Sequence, residues 1–242
     1  MIMGTNKAEF TNASIFDGLQ VDLALSEADL KEVYALRYQA YVAEGALEPR
    51  AVPMFIDRYD LLQTSAIVVV RDAGEIVGSI RMAVQPGNTS GIADFLSSPE
   101  FQVFPDLISD LECPDRPMIS GARFAIQPKH RRRKQIAMLI LYALVSASGA
   151  VGAKWALATA RGSHLAFYRR MLLMKEISEP RLMPGLTLEY ALLASDVDKS
   201  LTESLSRFPK SCRAHFTANN ADWNEQVTSA IAPIAQWQGE AA

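Results

Sequence analysis

Charged residues sit in this sequence at positions whose neighbours ask for apolar ones. Leu30, Val33, Tyr34 and Tyr41 share one face of a helical stretch, and Arg37 falls in the middle of that face. An arginine there is costly unless a carboxylate meets it or its head snorkels to water. Asp57 and Asp60 stand three residues apart just before a strand. Arg81 follows on a second strand, facing away from Ile76, Ile80, Met82 and Val84 together with Ser79, and Arg123 lies inside a third. Lys129, His130, Arg131, Arg132, Arg133 and Lys134 then form a basic turn between that third strand and a helix. The free N–H groups and positive dipole end of such a helix favour a phosphate. Cations crowded there oppose the dipole, which fits a bound anion, although a solvated helix start is the simpler account.

The elements that must position these residues can be read along the chain. Residues 19–25 alternate as a strand, and Ser26 with Glu27 and Asp29 opens a helix reaching about residue 42. After a loop carrying Pro49 and Pro53, residues 65–71 and 75–84 are antiparallel strands joined by Asp72-Ala73-Gly74. Gly78 marks a bulge or a close approach in the second of them. Residues 86–117 are an insertion rich in Pro, Gly, Ser and Asp with an apolar patch at 101–107, of a length typical of a lid or a partner surface. Residues 118–126 are a strand, 127–134 the basic turn, and Ile136, Leu139, Ile140, Ala143, Leu144 and Ala147 one face of a helix. Met138, Leu141, Tyr142 and Val145 fill the opposite face, so this helix is buried all round, as core or as the border of an acyl tunnel. A strand over 152–160, a helix over 164–172, and strands over 173–177 and 186–193 follow. The tail from residue 195 is polar and helical around 227–237.

A net charge of −3 and a pI near 5.7 argue against general nucleic-acid or membrane-surface binding, so the basic turn is a local feature. Cys113 and Cys212 form no disulfide framework, zinc pattern or CxxC, and no metal site is expected. With no signal peptide and no apolar run of membrane-spanning length, a cytoplasmic location is expected.

Strand, helix, three strands, helix, strand, helix, strand, strand is an α+β order, an α/β/α sandwich around a mixed, mostly antiparallel sheet. This order resembles the GNAT acyltransferase superfamily, whose fourth strand ends in a turn of pattern R/Q-x-x-G-x-G/A that wraps the acyl donor. Arg132 to Ala137 matches its arginine and its last small residue, but Gln135 replaces the first glycine. A side chain there hinders the close approach that a coenzyme A pyrophosphate needs. His164 to Leu172 is similar to the family's helix with a Phe-Tyr pair, which implies that Tyr168 protonates the departing thiolate.

Leu36-Arg37 with Tyr41, Asp57 with Asp60, Gly78 to Arg81, and Ala122-Arg123-Phe124 resemble one subgroup. It comprises the acyl-homoserine-lactone synthases and the related N-acyl amino acid synthases. The resemblance implies an acceptor-site framework of Arg37, Asp57, Asp60, Arg81 and Arg123, which predicts a carboxylate from the 57–60 pair for Arg37. Ser120 stands where lactone synthases carry a glutamate, a candidate base, and Ser120 and Tyr168 are the candidate catalytic residues. That departure, and the lack of tryptophan in 43–54, favour an N-acyl amino acid synthase or another long-chain N-acyltransferase.

The donor-binding residues implied are Phe124, Ala125, Ile126, Arg131, Arg132, Arg133, Lys134, Gln135 and Ala137, with backbone N–H groups at a splayed strand pair holding the oxyanion. The expected donor is a medium or long acyl chain on acyl carrier protein or coenzyme A, with no permanently bound cofactor. An acidic carrier suits the basic turn, and the acceptor is an amino acid or a related amine. A coenzyme A-dependent acetyltransferase for small amines and a non-catalytic acyltransferase-like binding module are the alternatives. The acyltransferase domain is expected over 19–194, between an N-terminal extension (1–18) and a C-terminal helical one (195–242). No histidine is expected in the framework, and aspartates beside arginines are poor bases. A water relay is therefore expected, with no residue identified as base.

Overall fold

A computed structural model describes residues 15–86, 98–111 and 115–231. Cys113, the first fourteen residues, 87–97 and 112–114 of the insertion, and the tail beyond Ile231 with Trp237 lie outside them. The sheet starts with β1 (Leu19–Leu23), and Ser26 caps α1 (Glu27–Ala43). The Ser26 hydroxyl accepts the Asp29 N–H at 3.1 Å and the Asp29 carboxylate accepts the Ser26 N–H at 3.4 Å, a reciprocal capping box. Strands β2 (Ser65–Asp72) and β3 (Glu75–Gln85) join through Ala73 and Gly74, with φ of 49° and 87°. Positive φ at both positions gives a two-residue turn whose twist matches the strands.

In β3, Val70 pairs with Gly78 but Arg71 with Ile76, so Val77 is an extra residue. This bulge corrects the predicted alternation: Val77 joins Ile80, Met82 and Val84 in one core, while Ile76 turns to the core beneath α1. Gly78 serves a close approach. A Cβ there would lie 2.6 Å from Ile136 Cγ2 and 2.9 Å from Ile140 Cδ1, both on α4 (Lys134–Ala150). Gly78→Ala is therefore expected to cost about 1–3 kcal/mol by overpacking, read from urea unfolding; an unchanged midpoint would show that α4 moves aside freely.

The insertion contributes α2 (Pro99–Val103) and α3 (Pro105–Ser109), which bury Phe101, Phe104 and Ile108 against the sheet. After β4 (Met118–Ile126) and α4 come β5 (Trp155–Ala160), α5 (Gly162–Leu172), β6 (Lys175–Glu176), β7 (Arg181–Leu182) and β8 (Glu189–Asp196). The sheet runs β1-β2-β3-β4-β5-β8-β6, with β7 beside β8. All pairings are antiparallel except β4 with β5, which joins only Met118–Gly121 to Trp155–Ala158. Beyond Gly121 the two strands part. α1 packs on one face of the sheet, and α4 and α5 on the other.

In the C-terminal extension, where helix was expected around 227–237, the described residues form α6 (Val197–Arg207), α7 (Lys210–Asn219) and α8 (Trp223–Ile231), and 232–237 lie outside them. Phe208 and Phe216 meet Tyr142 of α4 edge-on, and Trp223 Nε1 donates to the Ala143 carbonyl at 3.3 Å. The outer face of α4 is thus covered by the chain itself, which explains its apolar residues on all sides. Cys212 lies in this layer, its thiol pushed up to about 12 by burial, and is chemically quiet. Among the described residues no helix is long and apolar enough to cross a membrane, and no His/Cys/Asp/Glu cluster is placed to hold a metal.

Candidate active site

Asp57 caps a short 3-10 turn, Arg58–Leu61. Its Oδ1 accepts the Tyr59 N–H at 2.9 Å, and Asp60 Oδ2 accepts the Asp57 N–H at 3.0 Å. The three-residue spacing is therefore a capping box, which fixes both carboxylates by their own backbone. Arg37 Nη1 donates to Asp60 Oδ1 at 2.7 Å; Arg81 Nη1 reaches the same oxygen at 3.2 Å and Asp57 Oδ1 at 2.5 Å. Arg123 Nε donates to Asp57 Oδ2 at 2.8 Å. The structure thus brings all five framework residues into one network. The side chains of Arg37, Arg81 and Asp60 are 0 % exposed, so Arg37 does not snorkel. Arg81 lies over the Tyr59 ring and Arg123 over that of Phe55, at 5.5 and 4.8 Å from the centroids. Burial works to raise the Asp57 carboxyl, but Arg81 and Arg123 outweigh it and hold it below the ordinary value. Asp57 is a poor base, as expected.

Arg123 is aimed by a second bulge. Ser79 pairs with Ala125 and Arg81 with Ala122, so β4 carries one residue more than β3 here. Arg123 has φ 58°, a backbone region that side chains other than glycine seldom adopt. Its Nη2 donates to the Pro184 carbonyl at 3.1 Å, and its Nη1 makes no hydrogen bond among the described residues. Arg123 is one of the residues lining a cavity of about 270 Å³ where β4 and β5 part.

Phe124, Ala125 and Ile126 line the same cavity, as do Arg131 and Ala137 from the start of α4. Tyr168 reaches it from α5, buried, and burial pushes its phenol well above the ordinary value, so it stays protonated. Ser120 is not brought to the cavity. It is fully buried on β4, opposite Ala83 and Leu157, before the strands part. The basic turn is partly self-neutralised. Lys129 Nζ donates to Glu75 at 2.8 Å, Arg133 pairs with Asp72, and Arg132, Lys134 and Gln135 lie off the cavity. Arg131, Arg132 and Lys134 remain exposed.

One histidine lines the cavity, although the arginine–aspartate network itself contains none. His164 stands at the cavity rim, where desolvation and the neighbouring Arg161 keep its imidazole below the ordinary value. Arg161 itself bridges to Glu44 at 2.7 Å. Sequence reading also missed Glu100 and Thr159, which meet across the cavity wall at 3.3 Å. The one signal for Glu100 was its place beside the apolar patch of the insertion.

The order of elements and the parted sheet give the fold of the GNAT acyltransferases, as the sequence resemblance implied. FeeM, an N-acyl amino acid synthase from uncultured soil microbes, is similar in structure with a TM-score of 0.60, over 75 % of this chain and 92 % of that one at 9 % identity. BjaI, a CoA-dependent acyl-homoserine lactone synthase seen with MTA, gives 0.57 over 78 % and 85 % at 17 % identity. TofI, in a ternary complex with an inhibitor and MTA, gives 0.57 over 77 % and 96 % at 22 % identity. No curated protein sequence matches the chain. The pattern of the family N-acyl amino acid synthase FeeM matches residues 32–196, and the chain belongs to that family of acyltransferases.

Proposed function

We propose that the protein transfers an acyl group from a carrier-protein thioester to the amine of an α-amino acid, giving an N-acyl amino acid. The observation that carries this reading is Arg123, a buried guanidinium that is held on Asp57, lines the cavity and has an Nη1 edge making no hydrogen bond among the described residues. Such an edge matches a carboxylate, and desolvation makes the match selective. Arg37, Arg81, Asp57 and Asp60 act behind it as positioning residues.

The donor would enter from the opposite side of the split, past Arg131 and the start of α4, with its thioester beside the β4 residues Phe124 to Ile126. A bulge leaves amides outside the ladder, and amides at this split suit the oxyanion. Tyr168, held protonated, suits the departing thiolate. Gln135 in place of glycine disfavours a wrapped pyrophosphate, and the exposed Arg131, Arg132 and Lys134 suit an acidic carrier surface.

Thiol release is the test, with long-chain acyl carrier protein and acyl-coenzyme A compared against a panel of amino acids and S-adenosylmethionine. Turnover with the carrier-bound donor and an amino acid is expected; none with any long-chain donor would sink the reading. Arg132→Glu should raise KM for the carrier-bound donor and leave KM for the amino acid alone. Equal KM values for the carrier-bound donor in variant and parent would remove the docking role.

A further inference from the structure

The cavity holds a second buried charge that the arginine–aspartate network leaves unused. Glu100, in the first turn of α2, is 0 % exposed and lines the cavity. Its Oε2 accepts the hydroxyl of Ser98, two residues earlier, and its Oε1 that of Thr159 at the end of β5. It forms no ion pair among the described residues. Arg123, whose charge it reinforces, is bonded to Asp57 instead. Two hydroxyls offset only part of the cost of burying a carboxylate without a cation. The other carboxylate on the cavity wall, Glu44, is already bonded to Arg161.

The cavity is therefore lined by a guanidinium with an unbonded Nη1 and by a carboxylate without a cation among the described residues, not bonded to each other. Their natural complement is a zwitterion. Ser120, at the position where a carboxylate was sought, is outside the cavity, and the insertion between β3 and β4 supplies one from a different element.

We propose that Glu100 is a catalytic residue that binds the ammonium group of the acceptor and takes its first proton; this rests on the N-acyltransferase reading. The ammonium gives one proton to the Glu100 carboxylate, and the freed nitrogen lone pair forms the C–N bond to the thioester carbon. The carbonyl electron pair moves to oxygen and returns as the C–S bond breaks. The thiolate takes the Tyr168 proton, and the second proton lost by nitrogen restores Tyr168. Glu100 passes its proton to water as the amide leaves, so one amide, one thiol and one proton are formed.

The test is Glu100→Gln beside Glu100→Asp, assayed by thiol release from long-chain acyl carrier protein between about pH 6 and pH 10, a range that spans protonated and free amine. Loss of a general base predicts a fall of about a hundredfold in kcat/KM for the amino acid near neutral pH in the glutamine variant. The loss should shrink as pH rises and the amine arrives already neutral. KM for the donor should stay unchanged, and Glu100→Asp, which keeps the charge, should recover part of the rate. Wild-type turnover with an unchanged pH profile and kcat/KM in Glu100→Gln overturns this inference alone. Equal losses at every pH in both variants also overturn it, assigning Glu100 to packing. Wild-type protein that releases no thiol with any amino acid overturns the underlying reading, and this inference with it. Should Glu100→Gln fail to fold, Glu100→Asp decides: a pH profile identical to wild type overturns the proposal, and a shifted one supports it.

Discussion

Asp60→Asn is expected to cost about 3–5 kcal/mol of folding stability, the magnitude seen when one member of a buried ion network is removed. Asp60 Oδ1 accepts from both Arg37 and Arg81, and all three side chains are 0 % exposed. Asparagine keeps the size and one acceptor oxygen, but its NH2 replaces the other and two guanidinium groups would lose the charge that offsets their burial. Total stabilities are about 5–15 kcal/mol, so the loss would leave a marginal protein. Urea unfolding measures it, and a change within about 0.5 kcal/mol, the range of surface substitutions, would show that the network contributes little. The same measurement has an acid limb. Asp57 is held below its ordinary value, so its contribution is complete above the unfolded carboxyl value of about 3.9 and is lost as pH falls through the lower folded value. Wild-type stability should decline below about pH 4, and less steeply in Asp57→Asn.

The second large effect concerns Arg123→Gln. Truncating one partner of a buried charge pair costs about 2–5 kcal/mol, so kcat/KM for an amino acid acceptor should fall about a hundredfold or more. Because the change also strips Asp57 of a partner, the decisive readout is a ratio. Wild-type enzyme should prefer an amino acid to its carboxamide strongly, and the variant should hardly distinguish them. Any general loss of folded protein lowers both rates and cancels. A preference preserved in Arg123→Gln would detach the acceptor's carboxylate from Arg123.

Much of this site was legible in the sequence because its cost is visible there. Arg37 within an apolar stripe needs a carboxylate or a way out to water, and the subgroup resemblance points to the Asp57–Asp60 pair as the carboxylate. Residues 118–126 read as a strand from their composition, and the strand has those bounds. What was hidden depended on contacts distant in the chain. The basic turn looked free because its partners, Glu75 and Asp72, lie 54 residues from Lys129 and 61 from Arg133. Glu100 is one acidic residue within the 86–117 insertion, and only the burial of Phe101 and Phe104 turns it inward. Bulges have no local signature beyond a glycine, so the face of Ile76 was misjudged and the reach of Arg123 unseen. The last three helices were underestimated because their apolar positions are spaced among many polar ones.

The cover over α4 bears on how the protein is made. α4 is synthesised well before α6, α7 and α8, the helices that shield its outer face. A chain still on the ribosome therefore carries a helix that is apolar all round and half wrapped, the kind of surface that chaperones hold and other nascent chains stick to. The cavity needs Tyr168 and Tyr190 from late in the chain as well. Site and core are completed together, by segments that emerge after α4.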